Sequence, residues 1–361
     1  MTSANSRFVP LLLTRLERPI ADAVVLTLEP PAEAAERFRF EAGQYLTFRA
    51  ILEGEEVRRS YSLCTAPFEG RLQVAIKRVP GGRFSTFAHE KLAPGDRLEA
   101  LPPEGTFTFL PDPARARTVL AIAAGSGITP VLAIAKSLLE REPRSRLVLL
   151  YGNRTSADIL FKGTLEDLKD RHLGRFALVH FLSREASELP ILHGRIDRTR
   201  IRAVLPHLAP PELLDLVYIC GPSGLPEAAS AALREMGVAA ERIRIEHFTP
   251  AGEVPKPRRA APAAEPGRAV AQLRVTLDGA RREVAMLEGE TVLEAVLRAG
   301  IDAPWSCRGG MCCTCRAKLV EGRVEMDQNW SLRDWELAAG FVLTCQSRPR
   351  SERLAVDYDA A

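Results

Sequence analysis

The sequence predicts a multi-domain chain: an all-β barrel, an α/β domain with a parallel sheet, and a small α+β domain. Three observations carry this prediction. Short strand-like segments fill residues 8–110, strands alternate with helices from residue 118 onward, and a cysteine-rich loop follows two strands and a helix near the C-terminus. A length of 361 residues fits two to three domains of ordinary size.

The first domain, residues 1–112, is predicted from short β-rich segments with turn residues between them. Regular short strands with little helix are typical of a sandwich or barrel. These segments are Val24–Leu28, Gln44–Arg49, Arg58–Leu63, Leu72–Arg78 and Arg97–Ala100. After them, the pair Gly81-Gly82 allows backbone N–H groups to approach an anion, and Ser85 and Thr86 are expected to cap a helix at Phe87–Leu92.

The second domain, residues 113–248, shows a strand–turn–helix rhythm, which predicts a parallel sheet. The expected strands are Thr118–Ala123, Leu147–Tyr151, Phe176–Leu182 and Leu216–Cys220, and the expected helices include Pro130–Glu140 and Thr164–Arg171. In open sheets of this kind the carboxyl ends of the strands line the ligand crevice. Cys220, with Gly221 and Pro222 after it, is therefore expected to face that crevice.

A glycine loop joins the first of these strands to a helix. Gly125-x-Gly127-x-Thr129-Pro130 places unpaired N–H groups and a positive helix dipole at the turn, which suits a nucleotide pyrophosphate. Proline suits the first helical turn, because no donor is needed there. The third glycine of the usual dinucleotide fingerprint is absent, so the position between strand and helix carries the prediction.

The third domain, residues 270–361, follows a Pro-rich segment at 249–269 that predicts a semi-rigid linker. Ala271–Leu277 and Arg281–Leu287 read as two strands of a hairpin turning at Asp278-Gly279. Thr291–Ala299 then has helical spacing.

The cysteine loop has the spacing Cys307-x4-Cys312-x2-Cys315, and Cys345 follows thirty residues later. This is the ligand spacing of a plant-type [2Fe–2S] cluster. Structural zinc sites usually combine two C-x2-4-C pairs, or one such pair with histidines, and disulfides would suit a secreted chain, so both alternatives are weaker. Cys313 is left as a spare thiol.

Composition narrows the function classes further. A net charge of +3 favours neither a nucleic-acid partner nor a membrane surface, and the longest apolar run, Val119–Ala135, is interrupted by glycines and a proline. Seven cysteines and an N-terminus without a signal-peptide pattern lead us to expect a cytoplasmic protein, monomeric when alone.

With these motifs in this order, the chain resembles members of the ferredoxin–NADP reductase superfamily that carry a C-terminal plant-type ferredoxin (β-grasp) domain. The resemblance rests on Arg59-x-Tyr61-Ser62, Gly81-Gly82-x-x-Ser85, the Gly125 loop, Cys220-Gly221-Pro222 and the cysteine loop. Within the superfamily the chain is similar to the reductases of phenylacetyl-CoA epoxidases, and those of steroid 9α-hydroxylases are near neighbours.

The resemblance implies an FAD-binding barrel and an NAD(P)-binding α/β domain. Arg59 would contact the flavin phosphate, Tyr61 the ring and Ser62 its reactive N5. Phe248 would lie near the flavin, and Cys220 near the nicotinamide. The resemblance implies that Ser62 and Cys220 are the catalytic residues. The remaining cofactor-binding residues are expected to be Lys77, Gly81, Gly82, Ser85, Gly125, Gly127, Thr129, Pro130, Gly221 and Pro222.

Nucleotide choice is predicted from the residues after the second strand of the α/β domain. Arg154 and Ser156 could bind the 2′-phosphate of NADPH, whereas Asp158 would suit NADH, and we favour NADPH. The expected function is electron transfer from NADPH or NADH through FAD and the [2Fe–2S] cluster to an oxygenase component. A stand-alone diaphorase and a non-catalytic electron-carrier module are the alternatives.

Overall fold

The computed structural model describes residues 7–248 and 268–360, which fall into two compact units on either side of the segment 249–267. Most of the predicted Pro-rich linker therefore lies outside the described residues, and Ala269 already belongs to a strand. The division of the first unit at residues 112 and 113 stays a prediction.

The first half of the first unit is an antiparallel six-stranded sheet in the order β4-β3-β6-β1-β2-β5. A bridge between Leu63 and Val74 joins its two edges and closes it into a barrel. Leu11, Leu26 and Phe48 are fully buried in the core, since alternate residues of each strand point inward. The strands are β1 Val9–Ile20, β2 Ala23–Glu29, β3 Tyr45–Leu52, β4 Glu55–Ser62, β5 Leu72–Lys77 and β6 Arg97–Ala100.

The helix of the barrel corrects one prediction. Helix α1 spans Arg83–Glu90 with Gly82 at its N-cap, so the expectation that Ser85 and Thr86 cap a helix at Phe87–Leu92 is wrong. The turn explains the earlier start: Gly81 has a φ of +71°, which reverses the chain before residue 83. Ser85 Oγ instead donates to the Gly82 carbonyl at 3.1 Å inside the first turn.

The second half of the first unit is a parallel five-stranded sheet in the order β11-β10-β7-β8-β9. The strand order reverses between β7 and β10, and ligands bind at such switch points, outside the carboxyl ends of the strands. The strands are β7 Thr118–Ala124, β8 Arg146–Asn153, β9 Phe176–Leu182, β10 Leu216–Gly221 and β11 Ile243–His247. The helices are α2 Ile128–Arg141, α3 Lys162–Arg171, α4 Arg198–Val204 and α5 Leu225–Glu235.

Polar contacts hold the barrel against the parallel sheet within this unit. The Tyr218 hydroxyl of β10 donates to the Thr108 carbonyl at 3.0 Å, and the Lys136 ammonium of α2 lies 3.0 Å from the Glu69 carboxylate. Both members of the Lys136–Glu69 pair are mostly buried, so the pair is screened less than a surface ion pair. These contacts fix the two halves of the unit relative to each other.

The second unit is a small α+β fold. Its main sheet has the order β13-β12-β18-β14-β16, with β12 and β18 parallel, and a separate two-stranded sheet joins β15 to β17. The predicted hairpin is confirmed: Asp278 and Gly279 both have positive φ between β12 and β13, as a type I′ turn requires. The elements are β12 Ala269–Leu277, β13 Ala280–Leu287, α6 Val292–Arg298, β14 Arg316–Glu321, β15 Val324–Met326, α7 Asp334–Ala338, β16 Phe341–Leu343, β17 Ser347–Pro349 and β18 Arg353–Asp357.

Across residues 7–248 and 268–360, no helix has the length and apolar character needed to cross a membrane.

Candidate functional site

The last residues of β4 place a cation, an aromatic ring and a hydroxyl close together. The Tyr61 ring centroid lies 5.6 Å from that of Phe84, and burial raises the pKa of Tyr61, so its hydroxyl stays protonated. The Arg59 guanidinium donates to the Arg58 carbonyl at 2.7 Å and, within the described residues, has no carboxylate partner. It is therefore available to an anionic ligand such as a flavin phosphate.

The glycine pair before α1 forms a tight cradle. A Cβ on Gly82 would lie 2.6 Å from Ser85 Oγ and 2.9 Å from Val79 Cβ, so a larger residue cannot take this conformation without displacing its neighbours. Ser85 Oγ also accepts from the Val79 N–H at 3.2 Å. Ser85 thus shapes the loop, while the helix N-terminus presents the free N–H groups that bind an anion. Lys77, at the end of β5, lies 3.5 Å from the Asp22 carboxylate.

The nucleotide loop sits at the switch point of the parallel sheet. A Cβ on Gly127 would lie 2.2 Å from the Cys220 carbonyl oxygen, so only glycine allows the loop after β7 to approach the end of β10 this closely. Pro130 lies in the first turn of α2, as predicted, and Thr129 Oγ1 donates to the Ser126 carbonyl at 3.0 Å. The free N–H groups of this turn face the crevice that a pyrophosphate would fill.

Sequence reasoning missed a residue that holds this loop in place. The hydroxyl of Tyr151, which is fully buried in β8, donates to the Gly125 carbonyl at 3.0 Å. Gly125 has a φ of +54°, and the tyrosine fixes the carbonyl at that turn. Nothing local in the sequence indicates this contact, because the two residues are 26 positions apart.

The end of β10 contributes Cys220, Gly221 and Pro222. Cys220 is fully buried, and burial raises the pKa of its thiol well above the ordinary value, with the nearby Glu246 carboxyl adding to the effect. The thiol is therefore a neutral group at physiological pH. A Cβ on Gly221 would lie 2.7 Å from Leu225 Cδ2, and Pro222 is exposed beside it.

A hydrogen bond joins the flavin side of the crevice to the nucleotide side. Ser62 Oγ donates to Glu246 Oε2 at 3.3 Å, and Glu246 pairs with Cys220 across β10 and β11. Burial raises the pKa of Glu246 to about 8, against the opposing effect of the bond from Ser62. Glu246 is the principal site residue that sequence reasoning did not assign. Its position two residues before Phe248, which packs against the core containing Cys220, was the available signal.

The residues expected at the 2′-phosphate have partners within the protein. The Arg154 guanidinium lies 2.7 Å from both Asp22 of the barrel and Asp158, and the Ser156 N–H donates to the Glu185 carboxylate at 2.7 Å. By contrast, Arg184 is exposed just beyond β9 and has no ion pair within the described part of the chain. Its backbone N–H donates to the Arg154 carbonyl at 2.8 Å, so the two arginines are neighbours.

The cluster loop brings the four predicted cysteines together in two pairs. The Cys307 thiol contacts Cys312, and the Cys315 thiol contacts Cys345. A two-iron cluster needs one pair of thiolates for each iron, whereas a single zinc ion would need all four around one point. Within the described residues no three Cys, His, Asp or Glu side chains are grouped so as to hold a single metal ion, and none of the seven cysteines forms a disulfide.

Backbone donors surround the first of these thiols. The N–H groups of Gly309 and Met311 donate to Cys307 Sγ at 3.3 and 3.4 Å. The hydrogen bond from Cys312, with these backbone donors, lowers the pKa of Cys307 to about 6 and so favours the thiolate that binds iron. Gly310 has a φ of +76°, and a Cβ there would lie 2.9 Å from the Gln328 carbonyl, so the loop requires glycine at this position.

Known families cover the same three regions of the chain. Residues 12–109 match the oxidoreductase FAD-binding domain, residues 121–231 the oxidoreductase NAD-binding domain, and residues 275–350 the 2Fe-2S iron-sulfur cluster binding domain. FAD, a nicotinamide nucleotide and a [2Fe–2S] cluster are therefore its cofactors, in agreement with the sequence prediction.

Full-length relatives carry the same arrangement. One subunit of the 1,2-phenylacetyl-CoA epoxidase of Escherichia coli is 40% identical over 98% of each chain. The ferredoxin reductase component of the 3-ketosteroid-9-alpha-monooxygenase of Mycolicibacterium smegmatis is 36% identical over 94% of this chain and 93% of the relative. The structure of phthalate dioxygenase reductase is 25% identical, with a TM-score of 0.57, over 97% of this chain and 98% of that one. The chain therefore belongs to the ferredoxin–NADP reductase superfamily, as an electron-transferring oxidoreductase that joins FAD-binding, NAD-binding and [2Fe–2S] ferredoxin domains.

Proposed function

We propose that this chain is the reductase component of a multicomponent oxygenase, which takes electrons from NADPH and delivers them one at a time to the oxygenase. The observation that carries the proposal is the 3.3 Å bond between Ser62 and Glu246, which joins the flavin-binding strand to the nucleotide crevice at Cys220. The paired cluster thiols on the same chain supply the exit for single electrons. Two relatives with nearly full coverage are named as components of oxygenase systems.

The flavin side of the site fits FAD. Bound FAD supplies the conversion between the two-electron chemistry of a nicotinamide and the one-electron chemistry of the cluster. In our proposal Arg59 neutralises a phosphate, and the N–H groups at the start of α1 bind the pyrophosphate beside Gly82. Tyr61 packs an aromatic face toward the flavin ring, and its hydroxyl stays neutral.

Ser62 and Glu246 are proposed to hold and move a proton near the flavin. With a pKa raised to about 8, the Glu246 carboxyl is mostly protonated at neutral pH, so it can donate a proton at little cost and take one back afterwards. Ser62 Oγ, hydrogen-bonded to Glu246 Oε2, connects that carboxyl to the ligand in the crevice. Cys220 keeps its thiol neutral and contributes shape and an apolar surface there.

The nucleotide choice is proposed to depend on Arg184. Arg154 already balances Asp22 and Asp158, so a 2′-phosphate would have to break two ion pairs to use it. Arg184 offers an exposed guanidinium beside the same strand ends, and guanidinium groups bind phosphate with two parallel hydrogen bonds. We therefore retain NADPH as the preferred nucleotide and transfer the 2′-phosphate contact from Arg154 to Arg184.

A cytoplasmic location and a monomeric state complete the proposal. Seven cysteines without a disulfide, four of them proposed cluster ligands, are suited to a reducing compartment.

The test combines the purified flavin- and cluster-loaded protein with NADPH and an oxygenase of the phenylacetyl-CoA epoxidase type. The wild-type protein should support product formation, and the Cys345→Ala variant should not, although both should reduce ferricyanide through the flavin. Product formation by Cys345→Ala would exclude the cluster as the exit. Ferricyanide reduction by the wild-type protein without product formation by any candidate oxygenase would favour the stand-alone diaphorase.

A further inference from the structure

The side chain of Gln346, next to the fourth cluster ligand, is buried against the cluster loop. Its exposure is 7%, and its amide nitrogen has three acceptors. One N–H of Nε2 donates to the Arg308 carbonyl at 2.8 Å, and the other is shared in a three-centre hydrogen bond between the Cys345 carbonyl at 3.1 Å and Cys345 Sγ at 3.6 Å. One amide group therefore connects the loop of the first three ligands to the fourth ligand.

The backbone around Gln346 fixes the direction of this amide. The Gln346 N–H donates to the Leu343 carbonyl at 2.9 Å, and the Gln346 carbonyl accepts from Asp327 at 2.9 Å. Its Cγ packs beside Gly310, where a Cβ would lie 3.3 Å away. A side chain held at both its backbone and its stem loses little further freedom when its amide makes hydrogen bonds.

Hydrogen-bond donors are divided between the two thiol pairs. In the pair Cys307 and Cys312, backbone N–H groups donate to Cys307 Sγ. In the pair Cys315 and Cys345, Cys345 Sγ accepts from the side chain of Gln346 and from the backbone N–H of Gly310. The potential of an iron–sulfur cluster depends on hydrogen bonds to its sulfur atoms, because reduction adds negative charge that such donors stabilise.

We propose that Gln346 is a positioning residue that sets the reduction potential of the [2Fe–2S] cluster. Its amide holds Cys345 against the loop at Arg308 and donates to the thiolate of Cys345. This donor raises the potential, and so makes the cluster a better acceptor of electrons from the flavin. The role goes beyond the assignment of the four cysteines as ligands and does not depend on the identity of the oxygenase.

The test uses two substitutions of Gln346 in the full, cofactor-loaded protein. Gln346→Leu removes the donor, and Gln346→Glu keeps the shape but replaces the donor with an acceptor that can carry negative charge. The matched control is Gln328→Leu, because Gln328 is exposed on the segment that packs against the same loop. Iron and labile sulfide content establish cluster loading, and a redox titration followed by electron paramagnetic resonance gives the midpoint potential.

We expect full cluster loading in all three variants. The potential should shift to more negative values in Gln346→Leu, shift further in Gln346→Glu, and stay at the wild-type value in Gln328→Leu. If Gln346→Leu binds the cluster poorly, the potential of Gln346→Glu is compared with that of the wild type instead.

Wild-type potentials in the cluster-loaded Gln346 variants, or an equal shift in Gln328→Leu, would overturn the proposal. Loss of the cluster from both Gln346 variants would also overturn it, since Gln346 would then be only structural. Unchanged NADPH–ferricyanide activity would show that the flavin site is intact in each case.

Discussion

The Ser62 hydroxyl donates a 3.3 Å hydrogen bond to the Glu246 carboxyl, across 184 residues of chain. Ser62 is the last residue of β4, an edge strand of the barrel sheet, and Glu246 pairs with Cys220 in the parallel sheet. The bond therefore closes the crevice between the two halves of the unit, and it leaves a carboxyl of raised pKa inside. Proton handling near the flavin is the chemistry that this pair suits.

Replacement of this carboxyl should slow the reaction without preventing binding. Glu246→Gln keeps the shape but can neither release nor take up a proton, so we expect kcat for NADPH–ferricyanide reduction to fall by about 10²-fold. The KM for NADPH should change little. Steady-state kinetics measure both values, and Glu227→Gln is the matched control because Glu227 is exposed on α5. If kcat were the same for the wild type and Glu246→Gln, Glu246 would have no part in the proton transfer.

The same substitution should change how stability depends on pH. Glu246 has its pKa raised from 4.5 to about 8 in the folded protein, so between these values the folded state holds more protons than the unfolded chain. The wild-type free energy of unfolding should therefore fall as pH rises through this window. Because the side chain keeps partial exposure, we expect Glu246→Gln to be more stable than wild type by about 1–3 kcal/mol at pH 9 and equal to it near pH 4.

Urea denaturation of the flavin-loaded proteins at several pH values measures this difference. Parallel stability profiles for the two proteins would contradict a raised pKa at Glu246.

Nucleotide selectivity should depend on Arg184 more than on Arg154. Arg184→Ala removes a charge-assisted contact to the 2′-phosphate, so the KM for NADPH should rise by about 10- to 100-fold while the KM for NADH stays constant. Arg154→Ala removes the ion pairs to Asp22 and Asp158 and should affect both nucleotides alike. Steady-state kinetics with each nucleotide provide the comparison. If the KM for NADPH rose selectively in Arg154→Ala and not in Arg184→Ala, the sequence-based prediction that Arg154 binds the 2′-phosphate would be restored.

The close approach of the loop after β7 to the end of β10 should make Gly127 intolerant of a side chain. In Gly127→Ala the new Cβ would lie 2.2 Å from the Cys220 carbonyl oxygen, so we expect a loss of about 1–3 kcal/mol in the free energy of unfolding and weaker NADPH binding. Gly163→Ala is the control, since Gly163 lies in α3 with open space around it and should gain up to about 1 kcal/mol. Urea unfolding and the KM for NADPH report both effects. Equal behaviour of the two variants would show that the loop adjusts freely.

Local chemistry explains which parts of the structure the sequence could predict. The Asp278-Gly279 turn follows from two residues that tolerate positive φ, and the cluster ligands follow from the spacing of cysteines in one loop. The start of α1 was missed because it depends on the turn at Gly81, a conformation that adjacent serine and threonine residues obscured. Strand β1 was not among the predicted strands, because charged residues interrupt the apolar pattern in its second half.

The features that the sequence could not predict depend on contacts between segments that are distant along the chain. Asp22 binds Arg154 over 132 residues, and no pattern near either residue indicates the other. The sequence therefore suggests Arg154 as a free cation, although in the structure two carboxylates hold it. The bond between Gln346 and Arg308 spans 38 residues and depends on the folded path of the cluster loop. Cofactor classes can be predicted from local motifs, but the groups that tune them depend on tertiary contacts.

The most direct test of the electron path is rapid mixing of the oxidised, cofactor-loaded protein with NADPH, followed by absorbance and freeze-quench electron paramagnetic resonance. We expect flavin bleaching first and then the signal of a reduced [2Fe–2S] cluster, amounting to one electron per chain. In the Cys345→Ala variant NADPH should still bleach the flavin, but the signal of the reduced cluster should be absent. A wild-type cluster that stays oxidised after NADPH has fully reduced the flavin would contradict the account.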